Sequence, residues 1–425
     1  MSNLKFFSFI VALMAASSLF AQPLTQTIRG TITDKISQTT LPGASVILVG
    51  SDPMIGTTTD ADGNFKLPKV PVGSHTLKIT FIGYKERLLQ NVTVNSGKEV
   101  VLNVPIEEDI AQMEEVVIRP DMVKNKPIND MAVVSARTFS VEETRKYAAA
   151  VNDPARMAAS YAGVVQTGDG NNTISIRGNS PYGLIWRMEG VDIPNPNHFS
   201  GVASSGGGIS ILSTQLLTNS DFLTGAFPAE YGNALSGVFD LNLRKGNNEK
   251  REYTVQAGFL GMDLAAEGPF SKDYDGSYLI NYRYSTLSVL SKIGVPIGDA
   301  VTNFQDLSYN FYLPTKKAGK FSLFGFGGLS SQNMDAKKDS LKWETVDDRY
   351  SSTYFSNTGA AGLKHSITLS ANTYLQSSVV LSGNNHGYQQ IKLEKDYVPN
   401  MDYKENSINK KLTVSSVINH KFNAR

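Results

Sequence analysis

The residues that could carry chemistry in this chain are few and scattered. Five histidines, His75, His198, His365, His386 and His420, include no two at a spacing of three to five residues. Neither an HExxH pair nor a His/Asp metal triad can therefore be read from the sequence. Gly178-Asn179-Ser180-Pro181-Tyr182-Gly183 comes nearest to a GxSxG nucleophile elbow, but its second glycine arrives one residue late. Gly168-Asp169-Gly170 lacks the third glycine of a dinucleotide loop, and there is no GxxxxGK[ST]. Asp60-x-Asp62-Gly63 could begin a calcium loop. The bidentate Glu such a loop needs is missing, and Asp-Gly between two alternating runs reads as a hairpin turn. The absence of Cys removes disulfides, thiolate metal sites, Cys nucleophiles and lipid attachment through an N-terminal Cys. Together these observations speak against an enzyme, and no catalytic residue, cofactor or metal is expected.

The elements that would position any other activity are mainly strands. The 425 residues suggest roughly two to four domains. Lys+Arg number 40 against 39 Asp+Glu, which argues against binding nucleic acid or anionic membrane through overall charge. Hydrophobics at 41% and aromatics at 9% exclude disorder throughout. Residues 1–21 differ from the rest. Lys5 precedes the apolar run Phe6–Phe20, and Ala21 is small, as in a secretory signal peptide. The alternative is a short membrane anchor, but the run is below the ~20 residues a spanning helix needs. No other stretch approaches that length, so a membrane location would require a β-barrel.

Residues 27–106 read as about seven short strands, including Ile28–Asp34, Ala44–Val49, Asn64–Leu67, His75–Ile82, Val92–Val94 and Val100–Val104. Their number and spacing suggest a β-sandwich. Residues 107–128 form a linker that is acidic at Glu107-Glu108-Asp109 and holds one β-prone segment, Met113-Glu114-Glu115-Val116-Val117-Ile118. That segment is either an ordinary edge strand or a strand kept exposed for pairing with a partner. Residues 129–245 mix α and β. Ser140-Val141-Glu142-Glu143 is a capping box for a helix from Val141 to about Ala149. Asp153-Pro154 starts a second helix ending near Gly163. Gly201–Gly208 is Gly/Ser-rich and suits a mobile loop. From about 250 the period becomes two, most clearly over 366–381, with further runs at Tyr278–Tyr284 and Lys411–Asn419. Runs near ten residues, apolar on one side, suit transmembrane barrel strands; the alternative is a large soluble β-domain.

In combination these residues resemble a TonB-dependent outer-membrane receptor of the Bacteroidetes type. Residues 27–106 look like the carboxypeptidase-regulatory-like domain of such receptors, through Gly30-x-Ile32-x-Asp34, Leu41-Pro42-Gly43-Ala44, Thr59-Asp60-x-Asp62-Gly63-x-Phe65 and Phe81-Ile82-Gly83-Tyr84. Residues 113–118 look like a TonB box. Residues 129–245 look like the plug, through Ile176-Arg177-Gly178, Met188-Glu189-Gly190-Val191-Asp192-Ile193-Pro194 and the run Phe227–Gly237 that contains Glu230, Tyr231 and Gly232. Glu189 stands where the family usually has Asp. The fold this implies is mostly β: an N-terminal β-sandwich, an α+β plug and, over 246–425, antiparallel transmembrane strands of an incomplete barrel. Only 180 residues (425 − 245) follow the plug, enough for roughly seven or eight strands, whereas family barrels have about 22. The chain is accordingly expected to be the N-terminal part of a longer receptor.

The resemblance implies energised uptake of a scarce nutrient, a siderophore, vitamin, glycan or peptide, across the cell outer membrane. Its partners would be the TonB–ExbB–ExbD complex, outer-membrane lipid, an unknown small ligand and a possible surface lipoprotein, with no nucleic acid. TonB would add to the 113–118 strand by backbone pairing. Arg177 and Glu230 would help hold the plug against the barrel wall, the alternative being ordinary solvated charges. Gly178, Gly190, Gly232 and Gly237 would permit tight turns. Other readings are a surface adhesin or structural β-protein, a truncated non-transporting product, or an exopeptidase-like enzyme, the last spoken against by the missing zinc-ligand spacing.

Overall fold

The computed structural model describes residues 24–109, 136–139, 144, 153–258, 261–286, 289, 300–394 and 398–422. The proposed signal peptide and the 113–118 segment lie outside these residues. Thr144 alone is described from the Val141–Ala149 helix, and it is helical. The chain is mostly β and divides into two compact units at Asp109.

The first unit is a sandwich of seven strands: β1 (Thr25–Asp34), β2 (Ser45–Leu48), β3 (Gly56–Thr58), β4 (Asn64–Pro71), β5 (Gly73–Thr80), β6 (Arg87–Val94) and β7 (Val100–Ile106). One sheet has the order β4-β1-β7 and the other β3-β2-β5-β6. Alternation drives the packing. Along β4, Phe65, Leu67 and Val70 are buried while Asn64, Lys66 and Pro71 are exposed. They meet Ile28, Ile32, Val46, Leu77, Ile79 and Val104 in one core. β1 and β7 run parallel, and a Cβ at Gly30 would lie 1.9 Å from the Leu102 carbonyl oxygen. Only glycine allows that approach. At the β3–β4 turn the Asp60 carboxylate accepts the backbone N–H groups of Asp62 and Asn64, and Gly63 takes a positive φ of 74°. The Asp60-Asp62-Gly63 motif is thus an Asx-type turn.

The second unit begins in description with β8 (Ala136–Phe139). The helix expected at Asp153-Pro154 is present as α1 (Pro154–Ala158), with the Asp153 carboxylate accepting from Ala155 and Arg156. It is shorter than expected because the chain must turn at Gly163, φ +80°, into the hairpin of β9 (Val164–Gln166) and β10 (Ile174–Ile176). A central sheet follows, made of β8, β11 (Leu184–Met188), β12 (Val191–Ile193), β15 (Ser220–Leu223) and β16 (Gly237–Leu241), in the order β12-β11-β16-β15-β8. A second small hairpin pairs β13 (Asn197–His198) with β14 (Ile209–Ser210). The Gly201–Gly208 segment is anchored rather than loose. Asn195 donates to the Ser204 and Gly206 carbonyls, Trp186 Nε1 to Ser205, and the Gly207 N–H to Asn172. Glycine is there for close packing: a Cβ at Gly206 or Gly207 would overlap Thr173 or the His198 carbonyl.

The remaining strands are β17 (Glu252–Ala257), β18 (Gly261–Pro269), β19 (Ser277–Ser285), β20 (Ala300–Pro314), β21 (Lys320–Met334), β22 (Tyr350–Ser370), β23 (Thr373–Leu393) and β24 (Pro399–His420). They form one sheet in sequential order, each antiparallel to the next. Residues 366–381 are not one strand but the tip of the β22–β23 hairpin, turned at Ala371-Asn372. Ile367 sits opposite Leu375 and Leu363 opposite Val379, so the odd-numbered residues keep to one face on both sides of the turn. The other face holds Ser356, Ala360, Ser378 and Val380, all buried against the central sheet and its loops.

Candidate functional site

The central sheet carries two unlike faces, and both are used. One bears a stack of rings. Trp186 and Phe239 lie 4.4 Å apart, Phe239 and Phe222 4.4 Å, and Phe139 meets Phe239 edge-on at 6.1 Å. Their cluster extends without a break into Phe324, Phe326, Ala360 and Val380 on the inner face of the large sheet. The other face bears a charged row, Asp192, Arg187, Asp240, Asp221 and Thr138, each opposite the next in register. The run 227–237 folds over that row. Tyr231 lays its ring 4.6 Å from the Arg187 guanidinium and donates its hydroxyl to Asp240 at 2.8 Å. Arg187 also approaches Asp192 at 3.5 Å and donates to the Glu230 and Gly190 carbonyls. Burial pushes the Asp240 carboxyl up to about 6, with Arg187 and the Tyr231 hydrogen bond working in the opposite direction.

Glu189 and Gly190 make the two-residue turn between β11 and β12, both at positive φ, 53° and 84°. This is the type I′ pattern. The turn aims the Glu189 side chain at the large sheet. One carboxylate oxygen lies 2.6 Å from Lys364 Nζ on β22, and the other accepts the Leu243 N–H at 2.7 Å. Lys245 lies in the same region, its ammonium 3.9 Å from the Tyr312 ring. Burial, then repulsion from Lys364, pulls the Lys245 pKa down to about 8.

Two further contacts seat the central sheet on the wall. Arg244 grips Glu267 of β18 through both carboxylate oxygens, at 2.7 and 2.8 Å, and Glu267 is 1% exposed. His198 is fully buried, with Nε2 2.9 Å from Asp306 of β20, which in turn holds Arg283 of β19 through two bonds of 2.9 Å. Gly328 on β21 makes room here: a Cβ would stand 2.7 Å from the His198 ring and 2.5 Å from Ile211. Burial lowers the His198 pKa, so the ring is neutral near pH 7. Nearer the far end of the strands, Ser200 meets Ser356 hydroxyl to hydroxyl, its carbonyl accepts the Tyr354 hydroxyl, and the Phe199 N–H donates to Ser330.

The residues expected from sequence are therefore dispersed in role. Glu189, Gly190, Asp192, Tyr231 and Gly237 gather around β11 and β16. Arg177 is exposed at φ 52°, its guanidinium near Thr224, and Gly178 follows at φ 78° in a tight turn. Glu230 is exposed, and its carbonyl accepts from Arg187. Gly190 and Gly178 are turn glycines. Gly237 is not: it is a strand residue whose Cβ would meet Ile176 at 2.3 Å and the Leu223 carbonyl at 3.0 Å. Around Gly232 there is open space. Ser180, in the near-match to a nucleophile elbow, caps the short helical turn Pro181–Gly183. His198, Arg244, Glu267, Asp306 and Lys364 were not singled out for this site, because their partners are 23 to 175 residues away and no local spacing marks them. Among the described residues no group of three or more His, Asp or Glu is placed to hold a metal ion.

Comparison with known proteins bears on this arrangement. Residues 28–118 match the family described as the CarboxypepD_reg-like domain, a stretch that includes the 113–118 segment. Over 248 residues the chain is 24% identical to the TonB-dependent transporter Oar of Myxococcus xanthus, covering 56% of this chain and 22% of that protein. The chain thus spans about a fifth of that relative's length. Among solved structures it is similar to the siderophore receptor PirA of Acinetobacter baumannii, at 14% identity and a TM-score of 0.45, over 67% of this chain and 45% of that one. It is also similar to the ferric-catecholate import receptor Fiu of E. coli K12, at 11% identity and a TM-score of 0.45, over 71% and 47%.

Proposed function

We propose that this chain, a relative of the TonB-dependent receptors, works in the outer membrane as part of a transporter that imports a scarce nutrient by energy delivered through TonB. The observation that supports this reading most is the way the central sheet is seated. A plug that must stay in place at rest and yield to a pull needs polar contacts to its wall that are specific but few. Glu189–Lys364, Arg244–Glu267 and His198–Asp306–Arg283 have that character, each satisfied at short range and each removable as a unit. The apolar contacts around Phe324 and Val380 supply adhesion without direction.

In this reading the strands cross the bilayer with their odd-numbered residues, in β20 to β23, toward lipid. Leu307, Leu323, Leu363, Val379 and Leu381 are exposed on that side. The connections 270–276, 315–319 and 371–372 fall at one end of the sheet, and 335–349 at the other. Outer-membrane barrels keep short turns in the periplasm and long loops outside. The ligand would approach from the 335–349 end, where Ser200 and Tyr354 lie, and TonB from the opposite side. The segment 113–118 is the proposed docking strand, because Val116-Val117-Ile118 favours the extended form and TonB would pair with its backbone. The test is capture of the TonB periplasmic domain by the full-length protein from detergent extracts. Val117→Pro removes a pairing N–H and is expected to abolish capture and uptake while leaving ligand binding intact. Normal capture by this variant would overturn the assignment.

A further inference from the structure

The lipid-side face of the large sheet is not uniformly convex. A groove of about 730 Å³ runs across β20 to β24. Its floor is bare backbone at Gly327, Gly359 and Gly383, which stand side by side on neighbouring strands. Its flanks are Tyr309, Leu381 and Leu412. At this level the outward row turns from apolar to mixed, for the next outward residues are Asn357 and Asn385 on β22 and β23, flanked by Leu329 on β21 and Ile408 on β24. Lys410 faces outward beside Gly383, at the upper rim of the groove.

The height of that rim follows from the strand geometry. Gly383 is ten residues beyond Thr373, which begins β23 at the short-turn end. At ~3.3 Å per residue and a tilt of ~40°, the rim stands about 25 Å above the turn, which is the height of the apolar band of such barrels. Lys410 therefore sits where the outer hydrocarbon boundary meets the headgroups.

We propose that this groove holds an acyl chain of a phosphate-bearing glycolipid of the outer leaflet, with the lipid phosphate paired to Lys410. The proposal rests on the outer-membrane reading above. An aliphatic chain fits a channel with a glycine floor and leucine sides, because it gains contacts that a flat barrel wall does not give. A cation at the outer rim, rather than the inner one, selects an anionic headgroup in the outer leaflet.

The test is native mass spectrometry of the full-length protein, released from outer membranes in mild detergent. Two variants accompany it. Gly327→Leu fills the groove, and the space is available, since a Cβ there meets nothing closer than the Thr358 carbonyl at 3.9 Å. Lys410→Glu reverses the rim charge on an exposed position and leaves the groove open. Wild type should retain a phosphoglycolipid adduct. Occupancy should fall about fivefold or more in Lys410→Glu and by a similar factor in Gly327→Leu, with barrel folding unchanged on heat-modifiability gels. Wild type without an adduct, an adduct of zwitterionic phospholipid alone, or equal occupancy in all three proteins would each overturn the proposal. Recovery of the protein outside the outer-membrane fraction is a different failure, which overturns the barrel reading and this one with it.

Discussion

The ion pair between Glu189 and Lys364 gives the sharpest prediction, because a third charge makes it asymmetric. Glu189 is 12% exposed and Lys364 21%, so solvent screens them weakly. Lys245 is held nearby with its pKa drawn down to about 8, first by burial and second by Lys364. In Lys364→Met that repulsion disappears, Lys245 charges more readily, and it takes over part of the attraction to Glu189. The loss should be modest, about 1 kcal/mol. In Glu189→Gln the amide oxygen can still accept the Leu243 N–H, but the half-buried Lys364 and Lys245 repel each other and keep only the more distant Asp240 as a counter-charge. Removing one partner of a buried pair costs about 3–5 kcal/mol, and the partial exposure places this case near 3. At about 1.4 kcal/mol per tenfold, amides of the 187–193 hairpin should exchange about a hundredfold faster in Glu189→Gln but only several-fold faster in Lys364→Met. The double variant should recover much of the Glu189→Gln loss, because one of the two stranded cations is gone. The assay is hydrogen–deuterium exchange on the membrane-inserted protein. Equal acceleration in the two single variants, or additive losses in the double, would refute the reasoning.

Two other outcomes follow from the central sheet. Gly237→Ala should lower the stability of this unit by about 1–3 kcal/mol, measured as a urea midpoint, because the added carbon meets the Ile176 and Leu184 side chains and the Leu223 carbonyl. Asp240 has a folded pKa of about 6 against an ordinary 3.8, so it contributes stability that is complete below about pH 4 and is lost as pH rises through 6. Asp240→Asn should remove that slope, changing the wild-type-minus-variant stability by up to about 3 kcal/mol between pH 4 and 7; an unchanged slope would assign the pH dependence elsewhere.

What could be read in the sequence was what depends on neighbours along the chain. The sandwich strands were legible because all but the short β3 bury one face, as in Phe65-x-Leu67. So was the Asp153 cap, which acts over three residues. The motifs around Glu189 and Tyr231 were legible only as a resemblance, and the structure shows what they do locally: Tyr231 covers Arg187, and Glu189-Gly190 is an I′ turn. The hairpin at 371–372 was hidden because a pattern of period two passes through it undisturbed. The anchoring of Gly201–Gly208 was hidden because composition reports what glycine permits, not the packing around Thr173 and His198 that demands it. The wall contacts were hidden by distance, since Glu189 and Lys364 are 175 residues apart.

The geometry of that same hairpin also sets which length changes the protein can survive. With Ile367 opposite Leu375 and Leu363 opposite Val379, one inserted residue at the tip would exchange the two faces of one strand over 21 positions. Leu381 and Val379 would turn toward the central sheet, and Ser378 and Gln376 would turn to the outer face. Two inserted residues would only lengthen the turn. Insertions and deletions at this turn in related genes should therefore come in even steps, and an odd step should survive only together with a compensating bulge in the flanking strands.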